Sequence, residues 1–351
     1  MKRREKSFSV ILCACLFLLF FLPTDCQADS SGTEEKMGFA VESVIPENQV
    51  DTTKTYFYLA MEPSQKQTIQ VKVRSLQEAP VTIQVAIHDA VSSSVGAIDY
   101  AKEKPKLDRS LKDPITRLVK AAGGIKEITL KNKEEKNIDF EVTTPETRFP
   151  GVKLGSIRFV RKNAKGDIKQ KGSGLIPQYA RVVAVMLTED EEAFNHGAEL
   201  HLKKVGLQLS NGRKVIAARI QNDQPKVLQE MTIQGAVRKK GEAKDLDSHK
   251  MTDFSVAPTS NFDFEIPLGL KKFKAGTYIF KGEAKGDGRT WKWSKEFTVG
   301  NEEADKANEH SAYQLIVPKW VPGVAFSLVL VLLALSTYLV QRARKWKNEG
   351  T

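Results

Sequence analysis

Asp99, Tyr100, Asp108 and Lys112 lie close together in the chain, within Ile98-Asp99-Tyr100 and Asp108-Arg109-Ser110-Leu111-Lys112. Two carboxylates, a phenol and a lysine can hydrogen-bond a polar ligand, and Tyr100 can stack on a sugar face. The same residues have structural roles open to them: Tyr100 can cover a core, and Asp108 can cap a short helix. Asn48 and Gln49 make a second polar pair in a turn, where the asparagine can equally serve the turn itself. None of these is a catalytic set. The five histidines show no metal-ligand spacing, and His196 and His201 are five apart, wrong for one helical face. The acidic run Thr188 to Glu192 fits no calcium loop. No nucleophile elbow or phosphate loop is present, and no Asp/Glu pair is marked as a glycosidase pair. The residues predict binding without catalysis, metal or cofactor.

The elements that must hold these residues read as strands. Ile69, Val71 and Val73 alternate with polar residues, as do Val81, Ile83, Val85 and Ile87, the period of a half-buried strand. The same alternation recurs in Ile138/Phe140/Val142, Met231/Ile233/Val237 and Phe262/Phe264/Ile266. Leu200 and Leu202 fall on one parity, and Val205, Leu207 and Leu209 on the other, so a bulge near Lys203-Lys204 is needed to restore one face. Trp291, Trp293, Phe297 and Val299 share a face of a last strand, which places the tryptophans inside. Asn211-Gly212 and Asp287-Gly288 are hairpin signals, and Tyr278 after Ala275-Gly276-Thr277 has the setting of a tyrosine corner. Asp108 to Gly124 reads as a loop with a short helix limited by Pro114. Many short strands with frequent turns predict an all-β protein of two immunoglobulin-like β-sandwich domains, followed by one C-terminal transmembrane helix.

The two ends set the expected location. Residues 1–28 pair a basic start with an apolar run and a small-x-small site ending at Ala28, a secretion signal. Trp320 to Val340 is uncharged and apolar, long enough to cross a bilayer, and Arg342, Arg344, Lys345 and Lys347 follow it. Positive charge marks the cytoplasmic side, so the N-terminal part is expected outside the cell and the tail inside. The expected order is signal 1–28, linker 29–38, first sandwich 39–162, linker or hairpin loop 163–174, second sandwich 175–300, stalk 301–319, membrane helix 320–340 and basic tail 341–351. The stalk, fully extended, reaches at most about 60 Å. No Leu-Pro-x-Thr-Gly-like site precedes the apolar stretch, so the helix is expected to stay as a permanent anchor in membrane lipid.

The net charge is +11, about half of it in the basic start and basic tail. The remaining mild excess is a solubilising surface or a weak, salt-sensitive attraction to anionic wall polymer or lipid headgroups. Nucleic acid is not an expected partner, since aromatic-basic clusters are missing. All three cysteines lie in the signal. An exported part without cysteine and without Asn-x-Ser/Thr acceptors favours a bacterial surface.

Phe39 to Val160 resembles the N-terminal domain of the WxL-interacting proteins of low-GC Gram-positive bacteria. The matching stretches are Val44-Ile45-Pro46-Glu47-Asn48-Gln49, Tyr56-Phe57-Tyr58-Leu59, Asp89-Ala90 with Gly96-Ala97-Ile98-Asp99-Tyr100, Asp108 to Lys112, and Phe149 to Ile157. Tyr179 to Val299 resembles the second domain, through Val182 to Leu187, Ala257 to Phe262, Lys274 to Tyr278 and Trp291-x-Trp293. The chain departs from the family at Ser64 and Ser156, where glycine is usual, and at Val91-Ser92-Ser93-Ser94. The resemblance implies peptidoglycan binding by the first domain, host-surface binding by the second, and WxL-domain surface proteins as partners. Asn48, Gln49, Asp99, Tyr100, Asp108 and Lys112 are then the candidates for contacting peptidoglycan or a protein partner. The expected function is a non-catalytic, membrane-anchored scaffold. An adhesin for host matrix proteins and an export chaperone that donates a strand to secreted clients are the alternatives.

Overall fold

The computed structural model describes residues 37–162, 178–190, 193–270, 272–313 and 320–348, with side chains through Gln341. The expected signal with its cleavage at Ala28, the linker up to residue 36, the connection 163–174 and the side chains of the basic tail lie outside the described residues. The strands, in chain order, are β1 (Phe39–Val44), β2 (Phe57–Ala60), β3 (Lys66–Ser75), β4 (Val81–Asp89), β5 (Val91–Ser92), β6 (Ile98–Asp99), β7 (Val119–Ala121), β8 (Glu127–Leu130), β9 (Glu135–Thr143), β10 (Val152–Arg161), β11 (Ala180–Thr188), β12 (Leu200–Ser210), β13 (Arg213–Asn222), β14 (Leu228–Lys239), β15 (Asp245–Val256), β16 (Ser260–Pro267), β17 (Gly276–Gly286) and β18 (Arg289–Val299). The chain forms two compact units. The first holds residues up to His88, Ile115–Arg148 and Gly155–Leu187, and the second holds Asp89–Pro114, Phe149–Leu154 and everything from Thr188.

In the first unit a four-stranded sheet, β1-β3-β9-β7, and a five-stranded sheet, β2-β11-β10-β4-β8, enclose the core. The alternating apolar residues fill it: Ile69, Val71 and Val73 of β3, Ile83 of β4, Phe140 of β9 and Phe159 of β10 are all fully buried. Phe140 and Phe159 meet edge to face at 6.3 Å, joining the two sheets. Gly155 is required by close approach, because a Cβ there would stand 2.6 Å from the His88 carbonyl oxygen and from Ile115. Ser64, where glycine is usual in the family, does adopt the left-handed conformation, with φ +59°.

The second unit pairs a three-stranded sheet, β12-β13-β16, with a four-stranded sheet, β15-β14-β17-β18. Phe254, Phe262, Phe264, Phe280 and Trp291 dominate its core, with Trp293 and Phe297 packed against it. The register of β12 on β13 shifts between Leu202 and Lys204, the bulge that the parity change requires. Both hairpin signals hold. Asn211 and Gly212 have φ of +48° and +74°, and Asp287 and Gly288 have +52° and +67°, the paired positive values of a tight turn. The Tyr278 hydroxyl donates to the Lys274 carbonyl at 2.6 Å, completing the corner.

Two segments belong elsewhere than the sequence suggests. The strand expected to open the second sandwich is β11, and it lies between β2 and β10 in the first unit's sheet. Its apolar run suits a strand buried on both faces and does not reveal which sheet it enters. The expected stalk begins with a helix, Asn301–Glu309, that packs on the second sandwich through Ala304, Ala307 and Asn308. That face is narrow and carries little apolar surface, so the segment reads as a solvated linker. Beyond it Ala312 N–H donates to the Gly212 carbonyl at 2.9 Å, and Arg213 lies over the Tyr313 ring. The spacer before Trp320 thus shrinks to residues 314–319, and the step from Tyr313 to Trp320 spans at most about 25 Å.

The Trp320 carbonyl accepts the first bond of a C-terminal helix, Val321–Asn348. Its stretch Val321–Gln341 has a mean hydropathy of 2.3 and is long and apolar enough to cross a membrane. At about 1.5 Å per residue it matches a hydrocarbon thickness of about 30 Å. Val340 lies within this stretch, and Trp320 immediately precedes it.

Candidate binding site

The six candidate residues divide between the two units. Asn48 and Gln49 lie in the connection from β1 to β2, in the first unit, and both are committed to it. The Asn48 amide donates to the Ala60 carbonyl at 2.8 Å and exchanges hydrogen bonds with the Gln67 amide. The Gln49 side chain is buried. It donates to the carbonyls of Asp51 and Tyr56 and accepts from Tyr58 N–H at 3.0 Å. These contacts hold the loop against β2.

Asp99, Tyr100, Asp108 and Lys112 belong to the second unit, although the sequence places them inside the first domain. The reason is a docked excursion. The β5–β6 hairpin pairs Val91 with Asp99 and Ser92 with Ile98. Ser92 is buried against the second sandwich: its N–H donates to Ser260 Oγ, and its own Oγ accepts from Ala257 N–H, both at 2.9 Å. Gly96, at φ +88°, lets the turn lie against Phe254, and its carbonyl accepts from Ser255 N–H at 2.9 Å. Of the hairpin's apolar residues Val91 is buried, Ile98 half-buried and Val95 exposed, a pattern that does not reveal where it docks.

Asp108 anchors the far end of the excursion. Oδ1 accepts from Ser110 N–H at 2.9 Å, the Ser110 hydroxyl at 2.7 Å and Gln221 of β13 at 2.7 Å, and Oδ2 accepts from Asn261 of β16 at 2.7 Å. It therefore closes an Asx turn and ties it to the three-stranded sheet, instead of capping the helix Ile115–Leu118. Burial pushes its carboxyl up, but the hydrogen bonds from Ser110, Asn261 and Gln221 outweigh burial and hold it below the usual carboxylate range. Asp99 Oδ1 accepts from Ala101 N–H at 2.8 Å, and the Lys112 carbonyl accepts from the Lys153 ammonium. Asp99 and Tyr100 remain half-exposed, and the Lys112 side chain is exposed.

Replacing Asp108 with Asn removes the charge and one acceptor, which should cost about 2 kcal/mol, the scale of two charge-assisted hydrogen bonds lost. Because the folded carboxyl titrates below its unfolded value, this stabilisation is present above about pH 4 and is lost as pH falls through the folded value. Urea unfolding of wild type and Asp108→Asn at pH 7 and at pH 2.5 checks this: the gap between them should close at the lower pH.

The first unit carries a hollow of about 720 Å³ that the sequence reading did not single out. Gln84, Thr116, Lys120, Lys126 and Glu141 bring polar groups to it, beside an apolar wall that includes Val85 and Val119. Gly123 and Gly124, at φ +64° and +68°, line it with open backbone. Amide-like groups, two lysines and exposed main chain suit a ligand that carries amides and carboxylates. The signal visible in the sequence was the Gly-Gly pair set between Lys120 and Lys126. Among the described residues, no three His, Cys, Asp or Glu side chains are placed to hold a metal.

Two immunoglobulin-like sandwiches followed by one apolar helix of membrane-spanning length define the architecture. Residues 39–161 match the family model described as WxL Interacting Protein, peptidoglycan binding domain, and residues 170–309 match that of WxL Interacting Protein, host binding domain. The chain belongs to the WxL-interacting proteins. The boundary between the two matches precedes β11, so the fold draws part of the second match into the first sandwich. No curated protein matches the chain. Among solved structures, the YadV chaperone is 12% identical, covering 74% of this chain and 100% of that one at a TM-score of 0.27. The E. coli chaperone DraB is 15% identical, covering 74% and 98% at 0.26. The CsuC–CsuE chaperone–tip adhesion subunit complex of Acinetobacter baumannii is 8% identical, covering 73% and 97% at 0.31.

Proposed function

We propose that this protein is a non-catalytic surface scaffold of the Gram-positive cell envelope, holding peptidoglycan and WxL-domain surface proteins. It is exported by its N-terminal signal and kept in the membrane by Val321–Gln341, with the sandwiches outside and the basic tail in the cytoplasm. The observation that carries this reading is the order of two binding-domain matches followed by one apolar helix. The first domain's hollow, with Lys120, Lys126 and the Gly123-Gly124 backbone, supplies groups complementary to the amides and carboxylates of stem peptides. The short connection at 314–319 supports a position close to the membrane, beneath the wall.

Co-sedimentation of the full chain in non-ionic detergent with protein-free peptidoglycan tests the wall contact. Saturable binding at physiological salt, weakened about tenfold by the double change Lys120→Gln and Lys126→Gln, supports this hollow as the contact. Weakening by Asp99→Ala and Tyr100→Ala instead moves the contact to the excursion. Binding only at low salt overturns peptidoglycan anchoring and leaves a protein-binding scaffold. The second family match, to a host binding domain, favours a second reading, an adhesin for host matrix proteins. Binding of immobilised matrix protein by the full chain, without wall or WxL partner, would establish that reading.

A further inference from the structure

The four-stranded sheet of the second domain turns one face to the core and one to solvent, and the solvent face is concave. A hollow of about 610 Å³ opens there. Two glycines lie at its centre. Gly235 of β14 sits opposite Gly282 of β17, and both lack the inward side chain that their neighbours Ile233, Val237, Phe280 and Ala284 carry. A Cβ on Gly235 would stand 2.9 Å from the Phe264 ring, and one on Gly282 would stand 2.7 Å from the Phe280 ring. The glycine pair leaves room for these rings against the inner face of the sheet.

Two rows of outward side chains cross the dip. Cross-strand register places Lys250, Gln234, Glu283 and Lys292 in one row, and Ser248, Ala236, Lys281 and Ser294 in the other. Strand spacing makes each row about 14 Å long. Glu283 is already matched, by Lys285 at 3.1 Å and Lys292 at 3.5 Å. Among the described residues no carboxylate comes within 4.0 Å of the Lys250 or Lys281 ammonium. The hollow therefore combines a surplus of positive charge with hydroxyl and amide donors and a small alanine floor. The two rows themselves contribute no aromatic ring; Trp293 and His249, which also line the hollow, carry their side chains on the core face of the sheet.

We infer that this hollow binds a phosphodiester-linked polyol chain, with Lys250, Lys281 and Lys292 on successive phosphates and Ser248, Ser294 and Gln234 on the polyol hydroxyls and phosphate oxygens. A chain can enter a dip about 14 Å across, whereas a bilayer presents its phosphates on a surface too flat to fill it. This ligand site is separate from the first domain's hollow and stands whether or not peptidoglycan binds there.

The test is titration of the full chain in non-ionic detergent with a synthetic glycerol-phosphate oligomer of about ten repeats. Saturable binding is expected, weakening about tenfold between 50 and 150 mM salt as about three cations are matched. The double change Lys250→Gln and Lys281→Gln should weaken binding at least tenfold, and Ser248→Ala with Ser294→Ala about threefold. Lys72→Gln with Lys131→Gln, in the first domain, should leave it unchanged within twofold. All these side chains are exposed or point to solvent, and tryptophan fluorescence confirms that the second domain is folded in each variant. Absence of binding, or equal binding by the lysine double variant, overturns the proposal. So does equal affinity for a polyglutamate of matched charge, or preference for phosphatidylglycerol vesicles over the oligomer.

Discussion

Residues 37–162 expressed alone will not fold cooperatively, whereas residues 37–190 will. The shorter fragment follows the visible domain boundary but lacks β11, the strand hydrogen-bonded between β2 and β10. Without it β2 loses its place in the five-stranded sheet. Val183, Val185, Met186 and Leu187, all buried, leave the core. At about 1.5–3 kcal/mol for each large apolar side chain, the loss matches the entire stability of an ordinary domain, about 5–15 kcal/mol. Far-UV circular dichroism and urea unfolding distinguish the two fragments. Equal midpoints for both would remove β11 from the first sandwich. The same dependence is readable in the full chain. Leu187→Ala should destabilise the first unit by about 2–5 kcal/mol, raising amide exchange in β2 and β10. All four tryptophans lie at or beyond residue 291, so the fluorescence transition of the second domain should not move.

The second large effect concerns Asn308. Its amide donates to the Phe273 carbonyl at 2.9 Å, and its carbonyl oxygen accepts from Phe273 N–H at 2.8 Å and from the Lys214 ammonium at 3.4 Å. All three groups are buried, and burial pushes the Lys214 ammonium below its ordinary range. Asn308→Ala withdraws three hydrogen bonds at once and should cost about 3 kcal/mol, since orphaned buried polar groups bear their full desolvation. Followed by tryptophan fluorescence, the urea midpoint of the second domain should fall by about 1.5 M at an m-value of about 2 kcal/mol/M. A chain ending at Val299 should lose at least as much. Glu302→Ala breaks only the exposed pair with Lys306 and should stay within about 0.5 kcal/mol of wild type. A midpoint unchanged in Asn308→Ala would return the helix Asn301–Glu309 to the status of a passive stalk.

These two segments show where reading the chain stops. Features closed within a few residues were legible, because their causes are local. Asn211-Gly212 and Asp287-Gly288 turn because those residues tolerate positive φ. The bulge at Lys203-Lys204 follows from a parity that must change. Tyr278 reaches a carbonyl only four residues back, and Gln49 binds the turn that contains it. The tryptophans of β18 fall inward because alternation leaves them no other face. The apolar helix is set by composition alone.

What depended on a partner distant in the chain was not legible. An apolar strand such as β11 fits either sandwich, and the sheet with the vacant position between β2 and β10 decides. Asp108 looked like a ligand-binding carboxylate because carboxylates near a turn are ordinary; Gln221 and Asn261, more than a hundred residues away, make it a tether. The hollow over Gly235 and Gly282 is lined by residues of β14, β15, β17 and β18, four strands that meet only in the closed sheet. By itself the sequence determined the β-sandwich class, the turns, the inward faces and the membrane-length helix, since backbone sterics and alternation act over short range. Only the tertiary structure decided which sandwich owns each segment and which polar groups remain available to a ligand, because those outcomes depend on side chains that meet only after the sheets have closed.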